Sequence, residues 1–295
     1  MLIGKTEISV TGKALKIAKL RHEWFEYLEN PPACIEEIKR AKVADVLTFL
    51  QEAHVPRPKY PFLQEPAHAS VVEFKDFKTW WDALHFKARN KARKVQKTGV
   101  ELRPAKLDDE FVRGVEKIYN EAPLRQGRKF THYGKSFAQI KEDLSSFPEC
   151  TFFIGAYFQN ELIGFMKLYE GEKILRTVHI IATFEHRDKC VMDALIARGV
   201  EIASEKGLHH FHYGDWAYRG LGVFRVKFMF ERHDCPRYFV PLNSKGALAL
   251  KLGLHRPLRE RVPQPWKDKL VGARNQWNAW RHGSKPVETK GAAED

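Results

Sequence analysis

The chain has 295 residues, of which 43% are hydrophobic and 12% are aromatic, and this composition excludes an intrinsically disordered protein. Fifty basic residues against 37 acidic residues give a formal net charge of +13, which favours an anionic partner such as a nucleotide, an RNA or a phospholipid surface. No apolar run is long enough to span a bilayer, no secretory signal is visible, and the four cysteines are scattered. We therefore expect a cytoplasmic protein with free thiols.

The first region of the chain combines short strand-like pieces with helices. Ile8–Val10 is strand-like, and Ile35–Leu50 has apolar residues at helical spacing, which predicts a helix. Four prolines within 54–66 predict an extended connector. We expect an N-terminal accessory region over residues 1–72, a core over residues 73–242, and a C-terminal helical extension with a polar tail over residues 243–295.

A strongly basic stretch runs from His85 to Lys97 and contains six lysines and arginines but no acid. Apolar residues recur in it at helical spacing, which predicts an amphipathic helix with a basic outer surface. Two interpretations stay open for this surface. It is either a solvated helix face or a contact to the phosphates of tRNA or another polyanion.

The segment from Thr151 to Asp215 predicts three strands, a basic loop, a helix and a fourth strand. Gln159-Asn-Glu161 separates two apolar, aromatic-rich runs, which is a hairpin signal. A third strand rich in β-branched residues follows over Ile174–Thr183. The loop Glu185–Lys189 carries cations between this strand and the start of a helix, a place suited to a pyrophosphate group.

This strand–loop–helix unit resembles the one that holds the acyl donor in the GNAT (acyl-CoA N-acyltransferase) superfamily, whose pattern is Arg/Gln-x-x-Gly-x-Gly/Ala. Arg187 matches the first position of the pattern and Lys189 a frequently basic one. Cys190 and Met192 stand where the two glycines would be, and a Cβ at either position hinders the approach of phosphates to the backbone.

The resemblance implies an α/β (α+β) fold: a GNAT-like mixed central β-sheet flanked by helices, with an N-terminal accessory or degenerate half-domain. It implies an N-acyltransferase that takes an acyl group, acetyl by default, from coenzyme A and gives it to an amine of a small molecule or peptide, without a metal. The residues that it places against acetyl-CoA or another acyl-CoA are Ala182, Thr183, Phe184, Arg187, Asp188, Lys189, Cys190, Val191 and Met192.

A second resemblance concerns the donor. Arg89–Val100 and Gly222–Phe228 are similar to segments of Fem-type aminoacyltransferases, GNAT-fold relatives that take the acyl group from aminoacyl-tRNA. The chain as a whole resembles an uncharacterised bacterial family of GNAT-like proteins, through the pieces Ile118–Arg128, His132–Lys135, His186–Lys189 and Pro236–Pro241. An aminoacyl-tRNA-dependent transferase and a non-catalytic protein that binds nucleic acid or another anion are therefore the alternatives.

Catalysis in this fold needs an oxyanion donor and a proton acceptor. The family resemblance puts the oxyanion amide near Ile181–Phe184. It makes Asp215 the preferred candidate for proton transfer, with Tyr218, Glu185 and Tyr213 as further candidates near the strand ends. Asp215 also fits a structural role as the cap of the following turn. His179 lies on an apolar strand, which favours a hydrogen-bonded core or face histidine over a base.

A compact polar segment follows Pro123, where the fold usually has its acceptor loop. The residues that we assign to acceptor binding are Arg125, Gln126, Gly127, Arg128, His132, Tyr133 and Lys135. Two arginines can hold a carboxylate or phosphate by forked hydrogen bonds, but they can equally pin the loop through an ion pair with Glu121. His209, His210 and His212 have no third ligand at a suitable spacing, so we expect no metal site.

Overall fold

The computed structural model describes residues 2–3, 6–28, 30–52, 55, 57–125, 128–216, 220–256, 271–274, 276–277 and 280–281. The chain divides into two compact units. The first comprises Met1–Val71, Gly214–Trp216 and Arg232–Val262, and the second comprises Val72–Tyr213, Ala217–Glu231 and Pro263–Asp295. Strands 63–73, 210–215 and 231–241 cross the division, so each unit is built from separated pieces of the chain.

The strands in chain order are β1 (Leu2–Ile3), β2 (Thr6–Thr11), β3 (Ile17–Leu20), β4 (Val46–Leu50), β5 (Leu63–Glu73), β6 (Val100–Ala105), β7 (Leu124–Arg125), β8 (Arg128–Lys129), β9 (Thr151–Phe158), β10 (Glu161–Glu170), β11 (Leu175–Ala182), β12 (His210–Asp215) and β13 (Glu231–Pro241). The α-helices are α1 (Pro31–Ala41), α2 (Phe77–Ala83), α3 (Phe86–Lys97), α4 (Asp109–Asn120), α5 (Phe137–Leu144), α6 (Val191–Glu205), α7 (Gly220–Lys227) and α8 (Ser244–Lys251), and Arg187–Lys189 is a 3₁₀ turn.

The first unit is a mixed sheet in the order β1-β2-β3-β4-β13-β5. The β3–β4 pair is parallel, whereas β2–β3 and β4–β13 are antiparallel. Its core gathers apolar side chains from α1 and from the central strands, with Ile38, Phe49 and Tyr238 among the most deeply buried. The carboxylate of Asp45 joins the start of β4 to α8, because it accepts hydrogen bonds from Asn243 and Lys245.

The predicted helix Ile35–Leu50 is wrong in its second half. Helix α1 ends at Ala41, and Lys42 takes a left-handed conformation (φ 52°) that directs its amide to the carbonyls of Ile38 and Lys39. The following residues Val46–Leu50 form β4, in which all five side chains are buried. A strand buried on both faces reads as a continuous apolar run, and such a run can match helical spacing by coincidence.

The second unit is a sheet in the order β12-β11-β10-β9-β6. The predicted hairpin is confirmed: β9 and β10 pair antiparallel across a turn at Gln159 and Asn160, whose φ values are 51° and 65°. Positive φ at both central residues matches the right-handed twist of the strands that the turn connects. The third predicted strand and the helix after it are also present, as β11 and α6.

Helices cover both faces of this second sheet. One cluster combines α3 and α6 with one face, and a second combines α4 and α5 with the other. Successive residues of β10 alternate between them, so Phe165 belongs to the α4–α5 side and Met166 to the α6 side. At Gly199 of α6 an added Cβ would lie 2.6 Å from the ring of Phe211, so the helix packs against the sheet where it has no side chain.

The predicted basic helix forms α3, but it does not continue into the tryptophans before it. Leu84 is extended, and the imidazole of His85 accepts a hydrogen bond from the amide of Lys87 and caps the helix. Ala88, Ala92 and Val95 form its buried face, and its basic residues lie on the other side.

Candidate functional site

Strands β11 and β12 lie side by side for only part of their length. They pair in parallel at Leu175↔Phe211 and Arg176↔His212, and no further pair between them occurs in the described residues. On its other side β11 pairs with β10 as far as Ala182. The backbone edge of β11 that faces β12 is therefore without a strand partner beyond Arg176.

A β-bulge marks the start of this divergence. Lys167 pairs with His179 and Leu168 with Thr177, so Val178 is an extra residue in β11. A bulge increases the local twist of a strand and changes the direction of the side chains that follow. The four residues after it, His179 to Ala182, all line a cavity.

This cavity has a volume of about 590 Å³ and opens where the two strands diverge. Lys91, Arg125 and Arg187 provide cationic side chains in its wall, and Asp193 provides a carboxylate. Asp193 is already neutralised by an ion pair with Lys227. The cavity is therefore electropositive, which suits an anionic ligand.

Seven of the nine residues predicted to hold the acyl donor line the cavity: Ala182, Thr183, Phe184, Arg187, Cys190, Val191 and Met192. The other two do not. Asp188 is exposed, and the ammonium of Lys189 lies 4.1 Å from the centre of the Phe158 ring and 3.7 Å from the Asp188 carboxylate. The structure thus brings most of this predicted group together and directs Lys189 to a neighbouring aromatic ring.

The backbone of the loop before α6 is partly occupied by internal hydrogen bonds. The amide of Lys189 donates to the carbonyl of His186, and that of Cys190 to the carbonyl of Arg187. The backbone of Cys190 adopts the left-handed conformation, with φ 57°. The next two amides, of Val191 and Met192, begin α6, and within the described residues nothing accepts from them. Two amides at a helix start are thus available to an anion in the cavity.

Glu121 occupies two further amides of the same loop. Its carboxylate oxygens accept from the amide of Phe184 at 2.6 and 2.7 Å and from that of Glu185 at 2.9 Å. The same carboxylate accepts from the guanidinium of Arg125 at 3.1 Å. A carboxylate from the residue that follows α4 therefore takes the position at the end of β11 that an anionic ligand could otherwise take.

Arg125 lies at the centre of this arrangement. Its guanidinium donates to the carbonyl oxygens of Ala182 at 2.9 Å and Ile118 at 3.0 Å. Burial lowers the pKa of Arg125 from its ordinary value. Arg125 and Arg187 both stack on the ring of Phe184, at 4.4 and 4.2 Å from its centre. The predicted ion pair with Glu121 is present, and Arg125 lines the cavity as well.

The other residues predicted for acceptor binding are dispersed. Gln126 and Gly127 lie outside the described residues. Arg128 and Tyr133 are exposed, and Lys135 forms an ion pair with Asp143. His132 packs its ring against Tyr119 and His179, with ring centres 4.7 and 5.0 Å apart.

His179 connects this aromatic group to the cavity. Its Nε2 atom lies 3.1 Å from the hydroxyl oxygen of Tyr119, and its ring lines the cavity wall. Burial, assisted by the nearby charges of Lys135 and Arg125, lowers the pKa of His179 to about 3. Burial also lowers the pKa of His132. Both imidazoles are therefore neutral at pH 7.

Asp215 and Glu185, two of the residues predicted for proton transfer, are not among those that line the cavity. Asp215 belongs to the first unit, where its carboxylate accepts from the indole of Trp24 at 2.9 Å. Tyr218 lies outside the described residues. Glu185 is exposed on the loop after β11 and its side chain does not line the cavity. Among the three histidines near β12, His212 is buried, and His210 lies 3.8 Å from Glu73.

Sequence reasoning missed several residues of this site. Phe130 and Phe224 line the cavity, and Lys91 reaches it from α3. Tyr213, which the sequence offered as a candidate for proton transfer, lines it as well. Glu121 entered the prediction only as an ion-pair partner, whereas it also binds two loop amides. Spacing along the chain carries no signal for such contacts, because they join elements that are distant in sequence.

Solved structures share this architecture. L-PGS from Bacillus licheniformis is 15% identical and matches with a TM-score of 0.54, over 83% of this chain and 85% of that one. FemX is 10% identical, with a TM-score of 0.53 over 78% and 83%. A conserved protein of unknown function from Bacteroides thetaiotaomicron VPI-5482 is 11% identical, with a TM-score of 0.50 over 77% and 79%.

The chain has a GNAT-like fold. The fold class predicted from the sequence is confirmed, and the predicted resemblance to Fem-type proteins is confirmed as a likeness of fold. No protein-family model matches the sequence, and no curated protein matches it either. At these identities the GNAT-like architecture is what the chain shares with the solved structures. Among the described helices, none is long and apolar enough to cross a membrane.

Proposed function

We propose that this chain is an acyltransferase that moves an acyl group from an activated donor to an amine. The observation that carries the proposal is the unpaired edge of β11 inside an electropositive cavity. An extended donor arm that contains amide groups can hydrogen-bond to such an edge as an added strand does. The acyl carbon would then lie near His179 to Ala182, with the anionic end of the donor toward α6.

Coenzyme A is the first candidate carrier, because its arm contains amides and ends in phosphates. In this proposal the amides of Val191 and Met192, the guanidinium of Arg187 and the ammonium of Lys91 bind the diphosphate. Asp188 and Lys189 stay as proposed outer contacts. Cys190 would contribute little, since its amide already donates to the Arg187 carbonyl.

The chemical step is attack by a neutral amine on the thioester carbonyl. The nitrogen forms a bond to the carbonyl carbon, the oxygen becomes an oxyanion, and collapse breaks the carbon–sulfur bond and releases the thiolate. The amine loses one proton, and the thiolate takes one up. His179 is neutral and can accept a hydrogen bond from the amine, which orients it. Asp215, Tyr218 and Glu185 remain the proposed groups for final proton transfer.

Aminoacyl-tRNA is the second candidate donor, and a specific observation favours it. Five amides of the loop already donate to groups of the protein itself, namely those of Phe184, Glu185, Arg187, Lys189 and Cys190. Fewer backbone amides of the loop therefore remain to bind a diphosphate. A tRNA would instead use the exposed cations of α3, one of which, Lys91, lines the cavity.

Ligand-dependent thermal unfolding tests the two donors. We expect acetyl-CoA to raise the melting temperature saturably, because it binds the folded state alone. Arg187→Ala should weaken this effect about tenfold, through loss of one charge-assisted contact. Arg40→Ala, an exposed arginine in the first unit, is the matched control and should behave as wild type.

A shift with aminoacyl-tRNA but none with acetyl-CoA would select the second donor. Uncharged tRNA and free coenzyme A separate recognition of the carrier from recognition of the acyl group. No shift with any of these ligands would contradict the acyltransferase proposal.

A further inference from the structure

Helix α7 has an apolar face that points to solvent. Val223 and Val226 are 60% and 58% exposed, and Met229, just after the helix, is 43% exposed. Val223 and Val226, three residues apart, lie on one face of the helix, and we call these two residues together with Met229 the α7 stripe. The opposite face is inside the protein, where Phe224 lines the cavity and Phe228 is fully buried. The stripe therefore lies on the outside of a helix whose inner side forms the cavity wall.

Helix α3 supplies positive charge at the same cavity. Lys87, Lys91 and Lys94 are exposed, and there is no acidic residue in the helix. Lys91 and Phe224 both line the cavity, so α3 and α7 each contribute a side chain to its wall. Phe86, at the first turn of α3, is a further apolar side chain that is 55% exposed.

The described part of the C-terminal segment repeats this combination of aromatic and cationic side chains. Trp277 and Trp280, three residues apart, are 54% and 80% exposed. The guanidinium of Arg281 lies 5.2 Å from the centre of the Trp277 ring. Tryptophan beside arginine or lysine is the composition of helices that lie in the interface of a bilayer, where the ring enters the headgroup layer and the cation meets anionic lipids.

We propose that the second unit binds the surface of an anionic lipid bilayer through the α7 stripe and the lysines of α3, with the C-terminal tryptophans as a further contact. A bilayer is the occupant that satisfies both halves of this surface, since its acyl boundary takes up the apolar side chains and its headgroups attract the cations. A nucleic acid would use the lysines but would leave Val223, Val226 and Met229 in water. The inference deepens the proposed function: the acceptor amine is then carried by a molecule at the membrane surface, next to the cavity.

Co-sedimentation with vesicles tests this proposal on the full chain. The probes are phosphatidylcholine vesicles and vesicles that contain phosphatidylglycerol in addition. We expect binding to the second kind alone. Replacement of Val223, Val226 and Met229 together by serine should weaken it at least about tenfold. Leu248 and Leu252 of the first unit are 58% and 59% exposed. Their replacement by serine is the matched control, and this variant should bind as wild type.

A triple variant with Lys87→Ala, Lys91→Ala and Lys94→Ala should also weaken vesicle binding. A higher salt concentration should weaken the binding of the wild-type protein in the same way. The replaced side chains are exposed, so circular dichroism and the melting temperature should show that each variant folds. If the lysine variant loses binding to both vesicles and tRNA while the serine variant keeps both, the surface is a nucleic-acid interface. That result overturns the proposal. Absence of wild-type binding to anionic vesicles also overturns it.

The vesicle and acetyl-CoA measurements on the same proteins distinguish failure of the membrane proposal from failure of the acyltransferase proposal on which it rests. The acetyl-CoA melting shift needs no lipid. Absence of vesicle binding by the wild-type protein, together with an intact acetyl-CoA melting shift, rejects the membrane surface alone. Vesicle binding without any donor effect rejects the acyltransferase proposal and retains the membrane surface.

Discussion

The Nε2 atom of His179 lies 3.1 Å from the hydroxyl oxygen of Tyr119, and this contact joins the cavity wall to the core between α4 and the sheet. Tyr119 is almost wholly buried, and desolvation raises the pKa of its phenol above the ordinary value. The pair is thus a neutral hydrogen bond over the whole physiological pH range.

The low pKa of His179 predicts that the protein loses stability in mild acid. The unfolded chain binds a proton near pH 6.5, whereas the folded chain does so only near pH 3. The unfolded state therefore holds more protons between these values, so stability falls as pH drops from about 6.5 toward 3. At pH 5 this contribution amounts to about 2 kcal/mol relative to neutral pH.

Urea unfolding of wild type and His179→Gln at pH 7 and pH 5 measures this effect. We expect the free energy of unfolding of the variant to change less between the two pH values, by about 2 kcal/mol. His186→Gln, on the loop before α6, is the control and should keep the wild-type dependence. Equal pH dependence in all three proteins would show that His179 is not held neutral.

Removal of the Glu121 carboxylate should loosen the end of β11. Glu121→Ala leaves the amides of Phe184 and Glu185 without their acceptor, and Arg125 loses its counterion. We expect the free energy of unfolding to decrease by about 2 kcal/mol. Glu116→Ala, one turn earlier on α4, removes a carboxylate that makes no ion pair with any described residue and should have little effect.

Hydrogen exchange adds a local readout to this comparison. The amides of Phe184 and Glu185 should exchange faster in Glu121→Ala than in Glu116→Ala. Unchanged protection at both amides would mean that the carboxylate does not hold the loop.

The parts of this fold that depend on local pattern were predictable. The β9–β10 hairpin follows from a turn sequence between two apolar runs, and α6 from apolar periodicity that ends before Gly207 with φ 69°. The divergence of β11 from β12 was not predictable, because it depends on a bulge at Val178 and on where a distant strand stops pairing.

The site was predictable to the extent that it is a continuous segment. Residues 182–192 were found together, because a strand, loop and helix start are adjacent in the chain. Lys91 and Phe224 reach the cavity from α3 and α7, and Glu121, just after α4, binds amides of the same loop. Helix α1 shows the opposite error, since a buried strand after Lys42 was assigned to the helix on spacing alone.

Asp45 predicts a second acid-sensitive contribution, in the first unit. Hydrogen bonds from the amide of Lys16 and from Asn243 and Lys245 lower its pKa to about 2. The unfolded value is higher, so the contribution is complete above pH 4 and is lost as pH falls toward 2. Asp45→Asn should be less stable than wild type by about 2 kcal/mol at pH 7.

The difference between wild type and Asp45→Asn should shrink as the pH is lowered. Chemical unfolding at pH 7 and pH 3 measures it. A difference that stays constant would show that Asp45 acts through shape and not through its charge.

Close packing at Gly199 predicts a steric effect of a single methyl group. The Cβ of Gly199→Ala would lie 2.6 Å from the Phe211 ring and 3.1 Å from the Met166 side chain. We expect a loss of about 1–3 kcal/mol in the free energy of unfolding, because neighbouring side chains must move. Gly272→Ala, where an added Cβ meets nothing within 4 Å, is the control, and equal stability of the two variants would contradict the close approach.

Isothermal titration calorimetry with acetyl-CoA, on wild type and on Met192→Trp, tests the central claim that the cavity at the β11–β12 divergence holds the acyl donor. Met192 lines this cavity at the start of α6, so the larger indole would fill the space proposed for the diphosphate. We predict one site per chain in wild type and at least a tenfold loss of affinity in Met192→Trp, with an unchanged melting temperature in the absence of ligand. Undiminished binding by Met192→Trp would contradict the claim.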